Sequence, residues 1–354
     1  MYTITGDLNG RRVRADGALL GTRLTIAAGP TAELMPQVIY NSRADHYLVV
    51  WIDTRTPSKP AVYGRRLRPN GLPLGTDFPI SGPDAAIGVY EPPAVAFNPA
   101  ANQYLVVWSD LRDDHTRGHD IYGRRLRANG TAIGDDFLIS GPGADDDEEG
   151  PAVAYSAATN QYLVVWGDGR DYDRGDDIYG RRVKANGVPA KSDFRISGAT
   201  ATEGEGLPAL AYNSAAEEYL VVWTDRRNQG LRDIYGQRVP ATGRKIGGNF
   251  RISRGPDQES SAAVAYSTSA DQYLVVWADG RNLPTRSGDI FGRRVAADGT
   301  PLDKDFRLCG PAATGNDRGP AVAYGPGEYL VVWSSFRETD WAIYGIRVDG
   351  QPSA

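Results

Sequence analysis

Charged residues that recur at fixed distances from a tryptophan are the main candidates for chemistry in this chain. The pentapeptide Tyr-Leu-Val-Val-Trp occurs six times, and an Arg stands four residues after each Trp, at Arg55, Arg112, Arg170, Arg227, Arg281 and Arg337. An Asp stands two residues after five of these Trp residues, at Asp53, Asp110, Asp168, Asp225 and Asp279. An acid also recurs upstream of the pentapeptide, at Glu33, Glu148, Glu205, Glu259 and Asp317, with Glu91 one place out of step.

Two interpretations of these repeated charges are open. Guanidinium and carboxylate groups gathered on one face could bind a cation, a carboxylate or a sugar. Alternatively, each Arg could bridge carboxylates of its own repeat and of the adjacent one, because buried charges must be paired. Recurrence in every copy favours this clamp between repeats, since a ligand site usually breaks symmetry.

Residues that break the repeat are therefore the candidates for ligand binding. Tyr90, Tyr172, Phe336 and Trp341 are aromatic residues outside the repeated positions, and they fall on the charged face. Four aromatic side chains are enough for one shallow sugar-binding site, but they are too few for one such site in every repeat. The predicted contact surface combines three of them with two arginines: Arg112, Arg170, Tyr172, Tyr90 and Trp341.

The loop after the third pentapeptide is also a candidate calcium site. Its carboxylates are Asp168, Asp171, Asp173 and Asp176, and Ca²⁺ takes six to eight oxygen ligands. Arginines are interleaved and the spacing does not match an EF-hand, so a solvated loop is the competing interpretation. No cofactor is predicted to be required. His115 and His119 have no third ligand in view, which argues against zinc.

The elements that position these residues follow from the repeat itself. Six copies at spacings of 54 to 58 residues indicate one supersecondary unit stacked on itself. The third copy reads as four strands, here called A, B, C and D: Pro151–Tyr155, Tyr162–Trp166, Asp177–Val183 and Phe194–Ser197. Such sheets repeated radially are propeller blades. The sequence therefore predicts an all-β, six-bladed β-propeller of four-stranded antiparallel blades.

Residues 1–354 are predicted to form this single propeller, with the last blade closed by strands from both termini. Residues 1–29 match strands C and D, whereas residues 320–354 match strands A, B and C. Strand C is then present seven times, and which terminal copy fills the last blade is left open. The surplus copy could fray, or it could pair with a neighbouring molecule by strand addition.

With the strands placed, the repeat resembles the TolB-type, WD40-like propeller blade of bacterial periplasmic and surface proteins. The matching pieces in the third copy are Pro151, Tyr162–Trp166, Asp168 with Arg170, Asp177–Tyr179 and Asn186–Gly187. The Ser-Pro-Asp-Gly turn of that family is missing after strand A. The resemblance implies a bacterial, exported propeller used for binding, and it transfers no catalytic residues.

Composition and motifs exclude several classes of function. The formal net charge of −5 argues against nucleic acid as a partner, because that partner needs a positive surface. The chain has no run of 18 apolar residues, so no membrane span is predicted. Only three histidines are present, and neither a Gly-x-Ser-x-Gly elbow nor a phosphate-binding loop is found. These absences predict that the protein is not an enzyme.

The sequence-based prediction of function is therefore a non-catalytic binding or scaffolding module of an exported bacterial protein. It would lie outside the cell or at its surface and contact a protein or glycan through the charged loop face. One alternative is a structural subunit of a surface array or filament that uses the surplus strand. A second alternative is a glycosidase or lyase, because paired carboxylates are what glycoside cleavage needs and this face is rich in acids.

Overall fold

Regular structure in this protein consists of β-strands. The computed structural model describes residues 6–113, 118–141, 146–170, 175–198, 204–228, 230–243, 245–281, 288–302, 304–310, 315–325, 327–337 and 340–350. Across these ranges no helix is found. Among the same residues there is accordingly no helix long and apolar enough to cross a membrane.

The strands pair antiparallel with their neighbours in the chain. A two-stranded sheet joins β1 (Leu8–Val13) and β2 (Leu19–Ala27). Three four-stranded sheets follow: β3 (Glu33–Asn41), β4 (His46–Asp53), β5 (Ala61–Leu67) and β6 (Phe78–Pro79); β7 (Ala94–Asn98), β8 (Gln103–Asp110), β9 (Asp120–Arg127) and β10 (Ala132–Leu138); β11 (Glu148–Ser156), β12 (Gln161–Asp168), β13 (Asp177–Lys184) and β14 (Pro189–Arg195).

Two more four-stranded sheets and one three-stranded sheet complete the series. They are β15 (Glu205–Asn213), β16 (Glu218–Asn228), β17 (Leu231–Pro240) and β18 (Ile246–Arg251); β19 (Glu259–Ser267), β20 (Gln272–Asp279), β21 (Asp289–Ala296) and β22 (Phe306–Arg307); β23 (Asn316–Gly325), β24 (Glu328–Arg337) and β25 (Asp340–Asp349).

These sheets are the blades of a six-bladed β-propeller, which confirms the predicted all-β fold. Five blades carry strands A to D in chain order. The strands β23, β24 and β25 form a separate sheet of strands A, B and C, and β1 and β2 form another sheet that repeats C and D. Both terminal copies of strand C are formed, since β1 pairs with β2 and β25 pairs with β24. Closure of the blade by both termini stays a prediction.

One compact unit of the chain comprises Met1–Arg170 and Gly180–Phe194. Within it, Leu8 and Ile26 of the β1–β2 sheet pack with Trp51 of the first full blade. Arg65 also donates a hydrogen bond to the carbonyl oxygen of Ile26. The second blade contacts the first in the same way, with Arg124 donating to the carbonyl oxygen of Ile80 at 3.0 Å. The β1–β2 sheet therefore packs on the first blade as strands C and D of a preceding blade would.

The other compact unit comprises Asp171–Tyr179 and Arg195–Ala354. Its core has two parts, one containing Val222 and Trp277 and the other Val276 and Trp333. Here Arg293 donates to the carbonyl oxygen of Ile252 at 2.7 Å, so the contact between neighbouring blades is the same as in the first unit.

Strand B is buried on both faces. In β4, Leu48 and Val50 pack with the second blade, whereas Trp51 packs with the β1–β2 sheet. In β12, every side chain from Tyr162 to Trp166 is buried, and Trp166 has no exposed surface. A continuous run of β-branched and aromatic residues is the pattern of such a strand. The indole N–H of Trp166 finds its partner within the sheet, donating to Asp168 Oδ2 at 2.9 Å.

Replacing a strand B tryptophan tests this account of the core. Trp166→Ala is expected to lower the free energy of unfolding by about 3–5 kcal/mol, because it leaves a large cavity in close-packed surroundings. Chemical denaturation followed by far-ultraviolet circular dichroism would measure the change. Trp341→Ala is the control, since that side chain is 46% exposed, and it should change stability by less than about 1 kcal/mol. Equal losses in the two variants would contradict the assignment of the core.

Candidate active site

The repeated arginines bind the repeated aspartates that precede them. Arg112 donates from Nε to Asp110 Oδ1 at 3.0 Å and from Nη2 to Asp110 Oδ2 at 2.7 Å. Trp108 Nε1 donates to the same Oδ2 at 2.8 Å, and the guanidinium lies 3.9 Å from the centre of the Tyr122 ring. The same Arg–Asp pairing recurs at Arg55, Arg170, Arg227 and Arg281. Arg337 instead contacts Ser335, at 3.0 Å.

A second carboxylate, which the sequence reasoning missed, neutralises most of these arginines. Arg112 Nη2 lies 2.6 Å from Asp136 Oδ2, and the equivalent acids of the other blades are Asp77, Asp193 and Asp305. Each of these acids immediately precedes the Phe of strand D, so the repeat itself carried the signal.

The two carboxylates that Arg112 contacts lie in its own blade, whereas the sequence predicts partners in two adjacent blades. The link to the preceding blade is made by the acid of strand D, since Gly82 N donates to Asp136 Oδ2 at 3.3 Å. Arg112 and Arg170, predicted to bind ligand, each contact two carboxylates. Their charges are therefore used within the fold.

The fourth blade keeps this arrangement with uncharged residues. Asn249 stands at the position of the strand D acid, and Gln237 stands where the other blades have an Arg in strand C. Asn249 Nδ2 donates to Gln237 Oε1 at 2.7 Å and to the carbonyl oxygen of Ile196 at 3.2 Å. Without an acid at 249, Arg227 takes Glu205 as its second partner, at 3.1 Å.

Three of the acids that precede strand A lie buried opposite aspartates of strand B: Glu148, Glu205 and Glu259. Glu148 pairs in register with Asp168, and Glu205 with Asp225. Burial raises the pKa of Glu148 to about 9, and the negative charge of Asp168 adds to the effect. Burial likewise raises the pKa of Glu205 to about 8 and that of Glu259 to about 9. These side chains are therefore protonated at neutral pH, and Glu33 shifts in the same direction for the same main reason.

The predicted calcium ligands are only partly described. Tyr172, Asp171 and Asp173 lie outside the described residues, as does His115. Asp168 accepts hydrogen bonds from Trp166 on Oδ2 and from Arg170 on both oxygens, so protein donors already occupy it. Asp176 is exposed. Calcium binding by this loop stays a prediction.

The predicted aromatic contacts Tyr90 and Trp341 are both at the surface, in different surroundings. Trp341 packs against Phe336, with ring centroids 5.2 Å apart, and Arg318 lies 3.9 Å over its ring. Tyr90 is 87% exposed and lines a cavity of about 300 Å³.

The second blade departs from the repeat at the start of strand A. In the other copies, strand A begins with a bulge whose residue has positive φ, as at Gly150 (60°), Leu207 (54°) and Ser261 (56°). The second copy has Pro92 at this position, and proline fixes φ near −65°. Strand A is therefore shortened to Ala94–Asn98, and Asp110 pairs with Ile87 instead of an acid.

This departure brings Glu91 into the cavity. The cavity is lined by apolar side chains, including Trp108, Ile52 and Leu111, and by Glu91, His119 and Glu149. Gly150 N donates to Glu91 Oε2 at 2.7 Å. Burial raises the pKa of Glu91 to about 8, and the adjacent Glu149, to which it is hydrogen-bonded, raises it further against the opposing Gly150 contact.

Glu149 is held by a neighbouring histidine. His119 Nδ1 lies 3.2 Å from Glu149 Oε1, and the His119 backbone N–H donates to Asp147 Oδ1 at 3.0 Å. His119, Asp147 and Glu149 bring ligand-type atoms within 4.8 Å of one another, so they could also hold a metal ion. The sequence reasoning considered His119 without a third ligand, because Asp147 and Glu149 reach it from a different loop.

Glu91 and Glu149 occupy the same position of the repeat in consecutive copies. This position immediately precedes the bulge residue of strand A. The other copies have Leu34, Gly206, Ser260 and Arg318 there. Aligning the copies on the proline before strand A would have shown two acids in a position that is otherwise not acidic. Among the described residues, the structure thus joins a carboxyl pair, a histidine and an aromatic wall at a cavity.

Solved structures of similar fold include arabinofuranosidase, arabinanase and sialidase structures. The chain is similar to the GH93 α-L-arabinofuranosidase of Fusarium graminearum, with 14% identity, a TM-score of 0.60, and coverage of 90% of this chain and 93% of that one. The Penicillium chrysogenum α-L-arabinanase is 12% identical, with a TM-score of 0.58 and coverage of 89% of this chain and 93% of that one. At these identities, the similarity shows that the chain shares the propeller fold. The Trypanosoma rangeli sialidase matches at 8% identity and a TM-score of 0.56, over 97% of this chain and 60% of that one. No protein-family model and no curated protein matches.

These comparisons correct two sequence-based predictions. A non-catalytic binding or scaffolding module and the statement that the protein is not an enzyme were both wrong, because the similar propellers are glycosidases. The propeller itself is supported, whereas a TolB-type relationship is not, since the matched structures are arabinofuranosidase, arabinanase and sialidase. The error arose because Glu91 was treated as a misplaced member of the repeated acids. This treatment hid its pairing with Glu149.

The buried acids predict that stability falls as the pH rises. Because the folded-state pKa of Glu148 lies above the ordinary value of 4.5, the folded protein holds a proton that the unfolded chain has lost. Unfolding is then favoured progressively between about pH 4.5 and 9. The thermal midpoint should be lower at pH 9 than at pH 6, and Glu148→Gln should reduce this difference.

The groups facing Glu148 set this response. Asp168 and Asp120 raise its pKa, whereas Arg170 and Ser140 lower it. Asp135→Asn is the control, because the Asp135 side chain is 100% exposed, and it should keep the wild-type pH dependence. If Glu148→Gln also kept that dependence, Glu148 would be ionised in the folded protein, contrary to its burial.

Proposed function

We propose that the protein is a glycosidase whose catalytic pair is Glu91 and Glu149. The observation that carries the proposal is a half-buried carboxyl group with a pKa of about 8 beside a second, half-exposed carboxylate at one cavity. Two carboxyl groups in different environments are what acid–base cleavage of a glycoside requires. The propeller fold shared with arabinofuranosidase and arabinanase structures supports the same class of reaction.

Glu91 is assigned the role of general acid. Its Oε2 accepts the Gly150 N–H, and it is also hydrogen-bonded to Glu149, so the two carboxyl groups hold one proton between them. As the bond between the anomeric carbon and the leaving oxygen breaks, that proton passes to the leaving oxygen. A raised pKa keeps the acid loaded at neutral pH.

Glu149 is assigned the role of general base. Its side chain is 51% exposed, so water can reach it. The two carboxyl groups are hydrogen-bonded to each other in this structure, so the bound substrate must separate them to roughly 6.5–9.5 Å. Glu149 then takes a proton from a water molecule whose oxygen bonds to the anomeric carbon as the bond to the leaving oxygen breaks, which completes hydrolysis. His119 is a positioning residue here, since Nδ1 lies 3.2 Å from Glu149 Oε1.

The walls of the cavity suit a sugar ring. The exposed Tyr90 ring lies at the edge and the partly exposed Leu111 side chain adds apolar surface, whereas Trp108 and Ile52 are almost wholly buried. Aromatic faces pack against the C–H faces of sugars while the hydroxyl groups turn to polar neighbours. A volume of about 300 Å³ accommodates a small ligand.

We also propose that the protein acts outside the cell, where polysaccharide substrates lie. Fractionation of source cells and medium would test it, and recovery of the protein from the cytosol alone would contradict it.

Replacing the two glutamates tests the assignment of roles. Glu91→Gln and Glu149→Gln should each lower kcat/KM on aryl α-L-arabinofuranosides by about 100- to 10,000-fold, because proton transfer is lost. Asp135→Asn, at a fully exposed position, is the control and should retain wild-type activity. Release of the chromogenic aglycone measures the rate. Full activity in both Gln variants would overturn the assignment.

The pH profile separates the acid from the base. Since Glu91 must be protonated and its pKa is about 8, kcat/KM should fall as the pH rises through about 8. This alkaline limb should be missing from the residual activity of Glu91→Gln. An unchanged limb in that variant would assign the acid to another group.

A further inference from the structure

We infer that the glycan accepted at the cavity of Glu91 and Glu149 is uncharged, and that sugars bearing a carboxylate are rejected. The inference rests on the proposed function and goes beyond it, because the similar structures include both arabinofuranosidases and sialidases. The substrates of sialidases carry a carboxylate, whereas arabinose has only hydroxyl groups.

The cavity itself offers no cation among its described lining residues. Glu91, Glu149 and His119 are its titratable members other than Tyr90, and the remaining lining is apolar or small. Asp147 adds another carboxylate beside His119, with its side chain 49% exposed. A carboxylate ligand would therefore face carboxylates, and binding such a group ordinarily calls for a guanidinium or ammonium partner.

The arginine closest in sequence to the cavity lining cannot supply that partner. Arg112 follows the lining residue Leu111, yet its guanidinium contacts Asp110 and Asp136 at 2.7 and 2.6 Å. Its side chain is only 19% exposed. Moving it to a ligand would leave Asp110, which has no exposed surface, without its counter-ion, and an unpaired buried charge is strongly destabilising.

The cations of a second cavity are also engaged. This cavity, of about 440 Å³, is lined by Lys59 and Arg124. Lys59 Nζ donates to the carbonyl oxygen of Pro83, and Arg124 donates to those of Ile80 and Gly134 at 3.0 and 3.1 Å. These contacts hold neighbouring loops and strands together, so the charges serve the fold.

Uncharged sugars meet none of these penalties. Their hydroxyl groups can donate hydrogen bonds to Glu149 and Asp147, which are acceptors when ionised. Their C–H faces can pack on the exposed ring of Tyr90 at the edge of the cavity. The same carboxylates that accept hydroxyl groups repel an anionic sugar, so one set of residues gives both affinity and selectivity.

Paired substrates with one leaving group test the inference. The 4-methylumbelliferyl glycosides of α-L-arabinofuranose and of N-acetylneuraminic acid differ in the charge of the sugar while sharing the fluorescent reporter. We expect kcat/KM for the arabinoside to exceed that for the sialoside by on the order of 100-fold or more, because like charges at close range are costly. Asp147→Asn should narrow this ratio, and added salt should narrow it where the charges are exposed.

Binding measurements keep the inference separate from the proposed catalysis. The Glu91→Gln protein would be titrated with arabinobiose and with free N-acetylneuraminic acid, and binding would be followed by ligand-observed NMR. Arabinobiose binding without N-acetylneuraminic acid binding supports the inference even if no substrate is turned over, an outcome that would overturn the glycosidase proposal alone. Turnover of the sialoside at a comparable rate, binding of N-acetylneuraminic acid, or binding of neither sugar would overturn the inference.

Discussion

The buried ion pair between the aspartate after strand B and the arginine two residues later is the interaction on which the blades depend. Asp110 has no exposed surface, and it receives the indole N–H of Trp108 together with two donors from Arg112. A charge in such a place is tolerated only when it is paired and hydrogen-bonded. The contact therefore fixes the end of strand B, the loop after it and the ring of strand C in one arrangement.

This constraint explains why a face full of charges offers so little chemistry. Each repeated arginine is committed to its own blade, and the acid of strand D carries the connection to the preceding blade. Glu148 and Glu259, which precede strand A, are likewise buried, and burial raises the pKa of each to about 9. The candidate reactive groups therefore lie where a blade departs from the repeat. In the second blade this departure is Pro92, which occupies a position that has positive φ in other copies.

Much of the fold was predictable from the sequence, and the site was not. Strand B could be read from its unbroken apolar run, because burial on both faces leaves a continuous pattern. The two terminal copies of strand C were also recognised, and both are formed. The role of Asp136 was missed because its arginine lies 24 residues away along the chain. The pairing of Glu91 with Glu149 was missed because it depends on a backbone change that a residue pattern does not show.

The uncharged pair of the fourth blade bears on how such a ring of copies can diverge. Gln237 and Asn249 satisfy each other, and Asn249 reaches Ile196 where other blades use an arginine. An Asp copied alone to position 249 would meet Arg227, as the strand D acid meets the equivalent arginine in other blades. An Arg copied alone to position 237 would instead lack the strand D acid that lies 3.6 Å from Arg293 in the fifth blade. Divergence of a blade can therefore begin at the arginine of strand C, because its loss leaves the acid of strand D with a partner.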